Sequence, residues 1–130
     1  MKKKTNAQLK KKLDAVFSRY IRHKYANKDG HVKCYTCSTI KPIKQMQNGH
    51  WIPRNILSTR FEEMNCRPQC VACNMFQRGK PDVFALNLLE EYGEEKLKEL
   101  QQRRNEIIRY FPYEEKIEYY TNKLKQYENI

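Results

Sequence analysis

Four cysteines stand as two Cys-x-x-Cys pairs, Cys34-Tyr35-Thr36-Cys37 and Cys70-Val71-Ala72-Cys73. Each such turn lets two sulfurs face one point, and four thiolates close a tetrahedral structural zinc site. Residues 38–69 separate the pairs, a longer stretch than an ordinary zinc ribbon encloses. The metal would then staple the two ends of a β-hairpin and a long loop. Inside the staple lie Gly49-His50-Trp51 and Asn65, and Asn74 follows the last cysteine directly. Hydrolysing a phosphodiester needs a base for water, a cation for the developing charge, and a way to hold both in line. His50 is the best base available, because an imidazole titrates near neutrality.

The elements that must position these residues can be read outward from the staple. The chain has 130 residues, 32% of them charged, with 26 basic against 15 acidic side chains and a net charge of +11. At this length one domain with a small core is expected, and a zinc site would contribute folding free energy as well as geometry. The charge attracts polyanions, of which nucleic acid is the commonest; an anionic membrane surface is the alternative. No apolar run approaches a membrane span, and no apolar stretch follows the basic Met1-Lys2-Lys3-Lys4 to make a signal peptide. Five cysteines, four of them paired as knuckles, fit a reducing cytoplasm and metal binding better than a disulfide framework. Cys66 is left over, a small buried hydrophobe or an alternative ligand.

Thr5 with Gln8 three residues on reads as a capping box. Leu9, Leu13, Val16, Phe17, Tyr20 and Ile21 then give one apolar helical face, ending near Ala26 before the turn Asn27-Lys28-Asp29-Gly30. Lys10, Lys11 and Lys12 cover the rest, as a solvated basic face or as phosphate contacts. His23 and His31 flank the turn as surface histidines. Ile40 to Ile43 breaks regular structure, Lys44 to Trp51 can run as a strand, and Pro53 to Met64 looks like an exposed basic loop. Asp82 can cap a helix through Leu89 that Gly93 stops. A second helix runs from Glu94 through Ile108, Phe111-Pro112 interrupts it, and a third covers Tyr113 to Tyr127. The expected class is α+β, a single domain over residues 1-130. It divides into a basic N-terminal helix (1-30), a zinc-stapled ββα-metal centre (31-80) and a helical C-terminal third (81-130).

The order His, Asn, Asn within a four-cysteine staple resembles the His-Asn-His/Asn (HNH) nucleases. Gln47-Asn48-Gly49-His50-Trp51-Ile52-Pro53-Arg54, then Arg60-Phe61-Glu62-Glu63-Met64-Asn65, then Gln69-Cys70-Val71-Ala72-Cys73-Asn74, is similar to the phage NinG (Rap) recombination-protein family. Tyr20-Ile21-Arg22 and Leu89-Glu90-Glu91-Tyr92-Gly93 extend the likeness over roughly residues 13 to 125. It implies an HNH-like, structure-selective DNA endonuclease acting on D-loops and Holliday junctions, in the cytoplasm of a bacterial host. In such sites the middle Asn, here Asn65, supports the orientation of the base. The third residue, here Asn74, helps hold a catalytic Mg²⁺ or Mn²⁺, for which an amide oxygen is a reasonable ligand.

The commonest HNH pattern places an Asp or His before the base, where this chain has Gly49. Either another group supplies that metal contact, with Gln47 and Asn48 nearby and Glu62 or Glu63 able to reach in from the loop, or His50 itself takes part in metal binding. Arg54, Arg60, Arg67 and Arg78 are candidate phosphate contacts, since arginine forks match phosphate oxygens. Trp51 reads as a hairpin core residue or a stacking platform, and the C-terminal tyrosines as core or dimer interface. A homodimer would follow from the logic of paired cuts at a four-way junction. The alternative to a nuclease is a non-catalytic zinc-finger DNA-binding protein using the same basic surface.

Overall fold

A computed structural model describes residues 3–128. Met1 and Lys2, counted above in the basic N-terminus, lie outside the described residues, as do Asn129 and Ile130. Helix α1 (Asn6–Lys24) opens on the expected capping box: Thr5 N–H donates to Gln8 Oε1 at 2.9 Å and Gln8 N–H to Thr5 Oγ1 at 3.2 Å. Its apolar stripe buries Leu13, Phe17, Tyr20 and Ile21 against α5 (Tyr113–Glu128), which contributes Tyr113, Ile117 and Tyr120. The Phe17 ring meets Tyr120 edge-on with centroids 4.8 Å apart, and Phe61 from the central loop at 5.8 Å. Each such ring stabilises the seam by about 1.5–3 kcal/mol through burial, with ring geometry adding less.

Two small antiparallel sheets follow α1. Strand β1 (His31–Lys33) pairs with β2 (Ile40–Pro42), Val32 opposite Lys41. The stretch expected to break regular structure at Ile40 is therefore a short edge strand, and Pro42 is tolerated as its last residue. Strand β3 (Met46–His50) pairs with β4 (Cys66–Cys70), running from Met46 opposite Cys70 to His50 opposite Cys66. A short helical segment, Ala72–Phe76, continues from β4, with Gln77 N–H reaching the Ala72 carbonyl at 2.9 Å. The molecule is thus α+β, its central hairpin leading directly into a helical turn.

The connection between β3 and β4, residues 51–65, is not the exposed loop expected. It contains helix α2 (Leu57–Arg60), and buries Ile52, Ser58, Thr59, Phe61 and Asn65. Periodicity could not show this, because one polar side chain folds it. Asn65, fully buried, accepts from Ile52 N–H at 2.7 Å and donates to the carbonyls of Ile52 (3.0 Å) and Thr59 (3.1 Å).

Helix α3 (Pro81–Tyr92) begins with Pro at its first position, and Lys80, in left-handed backbone, takes the cap position assigned above to Asp82. Gly93 ends it with φ +89°, a conformation that only glycine adopts without strain. Helix α4 (Glu94–Arg103) stops well before Ile108. Ile107 is 82% exposed, so nothing packs there to continue the helix.

Candidate metal centre and active-site cleft

The sulfur atoms of Cys34, Cys37, Cys70 and Cys73 all lie within 4.8 Å of one another. Cys37 and Cys70 Sγ are 3.6 Å apart, close to the roughly 3.8 Å that separates tetrahedral ligands ~2.3 Å from a zinc ion. Backbone N–H groups point at two of the sulfurs, Cys70 N at Cys34 Sγ (3.3 Å) and Cys73 N at Cys70 Sγ (3.5 Å). The Thr39 hydroxyl beside Cys37 holds that thiol down at about 6. Burial pushes Cys73 up to about 12. Four thiolates this close repel, and a divalent cation at their centre is what lets all four ionise. The cluster therefore fits a structural metal. Cys66 has no part in it: fully buried in the aromatic core, its thiol is kept neutral by desolvation.

A cleft of about 480 Å³ is lined by Asp14, Ser18, Arg22, Gln47, Asn48, His50, Arg54 and Asn74, among others. His50 sits at the end of β3, where the strand enters the loop stapled by Asn65. Its Nε2 lies 2.9 Å from the Arg60 carbonyl oxygen. A carbonyl can only accept, so Nε2 carries the proton and Nδ1 keeps its lone pair. Nδ1 makes no hydrogen bond among the described residues. Burial holds the His50 pKa below its usual 6.5, and the positive charges of Arg60 and Arg54 add to this against the opposing Arg60 carbonyl and Asp14. At neutral pH the ring is an uncharged base.

The support expected from Asn65 is indirect. Asn65 does not touch the imidazole; it shapes the loop whose Arg60 carbonyl does. Asn74 stands at the cleft with its amide Nδ2 donating to Gln47 Oε1 at 2.7 Å, which leaves Oδ1 free. Asn48 lines the same cleft, and its Oδ1 is buried without a hydrogen-bond partner. Glu62 and Glu63 are elsewhere. Glu62 pairs with Arg103 at 2.6 Å, while Glu63 accepts from Tyr20, Lys24 and Tyr120.

Gly49 has a local cause. A Cβ there would lie 1.9 Å from Gln69 Oε1. Gln69, fully buried, crosses the strand at that point and donates to Thr36 Oγ1 (3.0 Å) and to the Gly79 carbonyl (2.9 Å), joining both knuckle regions. An acid at position 49 would displace this tie.

The arginines divide sharply. Arg54 and Arg78 are exposed, Arg54 at the cleft. Arg67 is not available to phosphate: 2% exposed, it donates to the carbonyls of Glu63 and Cys66, pairs with Glu91 at 2.9 Å, and lies over the rings of Tyr25, Tyr35 and Tyr92. Arg60 is clamped by Asp14, through Nε at 2.9 Å and a second bond from Nη2, and by the Arg54 carbonyl. Lys11 and Lys12 are exposed on α1, and Lys10 is half-buried. Asp14 is the residue that sequence reasoning missed; a lone acid following Lys10-Lys11-Lys12 was the available signal.

Fold and site together define an α+β protein with a four-cysteine cluster able to hold a metal, and a histidine-containing cleft. The chain belongs to the NinG family: the family model, described as Bacteriophage Lambda NinG protein, matches residues 1–129. "Protein ninG" of Escherichia phage 933W is 28% identical over 79 residues, 60% of this chain and 39% of that protein, and the same figures hold for that of Enterobacteria phage VT2-Sa. The matched region thus spans well under half the length of those relatives. No solved structure matches the chain.

Proposed function

We propose that this protein is a divalent-metal-dependent, HNH-like DNA endonuclease that cuts branched recombination intermediates inside a phage-infected cell. The observation that carries the reading is the polarised imidazole: the Arg60 carbonyl fixes the proton of His50 on Nε2, in a cleft shared with the free amide oxygen of Asn74. His50 would take the proton of the attacking water through Nδ1. Arg54 would hold the phosphodiester in the cleft, and Arg78, Lys11 and Lys12 the flanking backbone. A Mg²⁺ or Mn²⁺ ion would supply charge stabilisation at the scissile phosphate when bound, and Asn74 Oδ1 would help hold it. The four cysteines would hold a structural Zn²⁺, tying the end of β4 and the Ala72–Phe76 turn to the first knuckle.

The test is incubation of the zinc-loaded chain with a four-way junction, a D-loop and a linear duplex, with Mg²⁺ or Mn²⁺ added or omitted. Cutting of the branched substrates only when the second metal is added is expected. Tight binding with no cutting under any metal would leave a zinc-stapled DNA-binding module instead.

A further inference from the structure

The cleft poses a charge problem. A hard divalent ion such as Mg²⁺ or Mn²⁺ is held through one or two carboxylates together with neutral oxygens and waters. Position 49 cannot supply the carboxylate, because Gln69 occupies the space of its side chain. Glu62 and Glu63 are committed to Arg103 and to Tyr20, Lys24 and Tyr120. Among the residues lining the cleft, the acidic one is Asp14, which reaches it from α1. Two amide oxygens stand with it: Asn74 Oδ1, freed by the bond from Nδ2 to Gln47, and Asn48 Oδ1, buried with no partner. A buried unpartnered oxygen is destabilising, and a cation would satisfy it.

We propose that Asp14 provides the anionic ligand of a divalent-cation site in this cleft, completed by Asn48 Oδ1 and Asn74 Oδ1, and that its pairing with Arg60 is the cation-free resting state. The proposal rests on the nuclease reading and deepens it, since it moves the metal carboxylate out of the hairpin and onto the N-terminal helix. The carboxylate of Asp14 now accepts from Arg60 Nε and Nη2. A carboxylate has about four lone-pair sites, so a cation can share it or displace the guanidinium. Displacement releases a fork that suits a phosphate oxygen, beside the backbone carbonyl that orients His50. Metal arrival and phosphate capture would then be coupled through one side chain, Arg60.

The experiment is a Mn²⁺ titration of the zinc-loaded full chain without DNA, read by the loss of free-Mn²⁺ paramagnetic resonance signal. Wild type, Asp14→Asn and Arg60→Gln are compared, with zinc content and melting curves recorded for each. Asp14→Asn should weaken Mn²⁺ binding by at least about 10–100-fold, the loss that removing even an outer-shell partner causes at metal sites. Arg60→Gln removes a competing positive charge but leaves the His50-holding carbonyl in place, and should tighten Mn²⁺ binding several-fold. Weaker binding in both variants would mean that Asp14 acts only through the ion pair, and would overturn the proposal. So would an Asp14→Asn affinity equal to wild type, or a wild-type chain that binds no Mn²⁺. If Asp14→Asn does not fold, Arg60→Gln decides alone: tighter binding supports the site, unchanged or weaker binding refutes it. Asp14-dependent Mn²⁺ binding without DNA cleavage would refute the nuclease reading and leave the site standing. Mn²⁺-dependent cleavage with Asp14-independent Mn²⁺ binding would do the reverse.

Discussion

The α1–α5 seam and the central hairpin bury comparable kinds of volume by opposite means. The seam is aromatic: Phe17, Tyr20, Phe61, Tyr113 and Tyr120 fill it, and their contribution depends on area and ring contact. The hairpin region instead buries Thr59, Asn65, Arg67 and Gln69 together with three of the four clustered cysteines. Polar groups in that position destabilise unless each finds its partner. Asn65 and Arg67 do so completely, and Gln69 leaves its Oε1 above Gly49. The difference separates a tolerant frame from a region built to hold particular atoms. Apolar packing accepts substitutions of similar volume, whereas a polar interior fixes particular atoms, such as the Arg60 carbonyl, in particular places.

The largest effect should come from the metal cluster. Cys34→Ser should abolish stoichiometric zinc in elemental analysis and lower the melting temperature more than any other single change. Structural zinc contributes on the order of 10 kcal/mol or more to the folding of small domains. Next is the frame: Phe17→Ala should cost about 3–5 kcal/mol while zinc content stays at one per chain. Loss of zinc along with Phe17 would mean that frame and centre are one cooperative unit, and would break the comparison.

Smaller but more pointed is Asn65→Leu, which keeps the branched outline of the side chain and removes three hydrogen bonds. It should cost about 1–3 kcal/mol for each buried group left unpaired and slow cleavage by loosening the Arg60 carbonyl, with zinc retained. The smallest effects concern the surface. Arg78→Gln should flatten the log–log salt dependence of duplex DNA affinity by about 0.9 if it contacts one phosphate. Arg67→Lys should leave that slope unchanged and lower stability instead, because its fork is buried against Glu91 and three tyrosine rings. Titrations at several salt concentrations distinguish the two.

What the sequence made legible follows the same division. The capping box at Thr5, the apolar stripe of α1, the stop at Gly93 and the extent of α5 rest on local rules, and the structure shows them as read. The cysteine spacing likewise implied one cluster. The hidden features depend on long-range polar contacts, which leave no periodicity. Asn65 turned an apparent exposed loop into a packed one, and Gln69 explains the glycine that departs from the usual pattern. Arg67 read as a phosphate contact because an arginine fork suits phosphate oxygens; its burial depends on Tyr92 and Glu91, distant in sequence. Asp14 escaped notice because α1 was divided into an apolar face and a basic one, and an acid fits neither.

The central claim is that His50, its proton held on Nε2 by the Arg60 carbonyl, is the general base. The direct measurement is the pH dependence of single-turnover cleavage of branched DNA at saturating protein, wild type against His50→Ala. The wild-type rate should rise with pH as His50 loses its proton, and level off early, because burial holds its pKa below the usual 6.5. His50→Ala should bind the same DNA with similar affinity, cut it about 10²–10⁴-fold more slowly, and lack the acidic limb of the profile. A variant that cuts at the wild-type rate with the same pH profile would contradict the account.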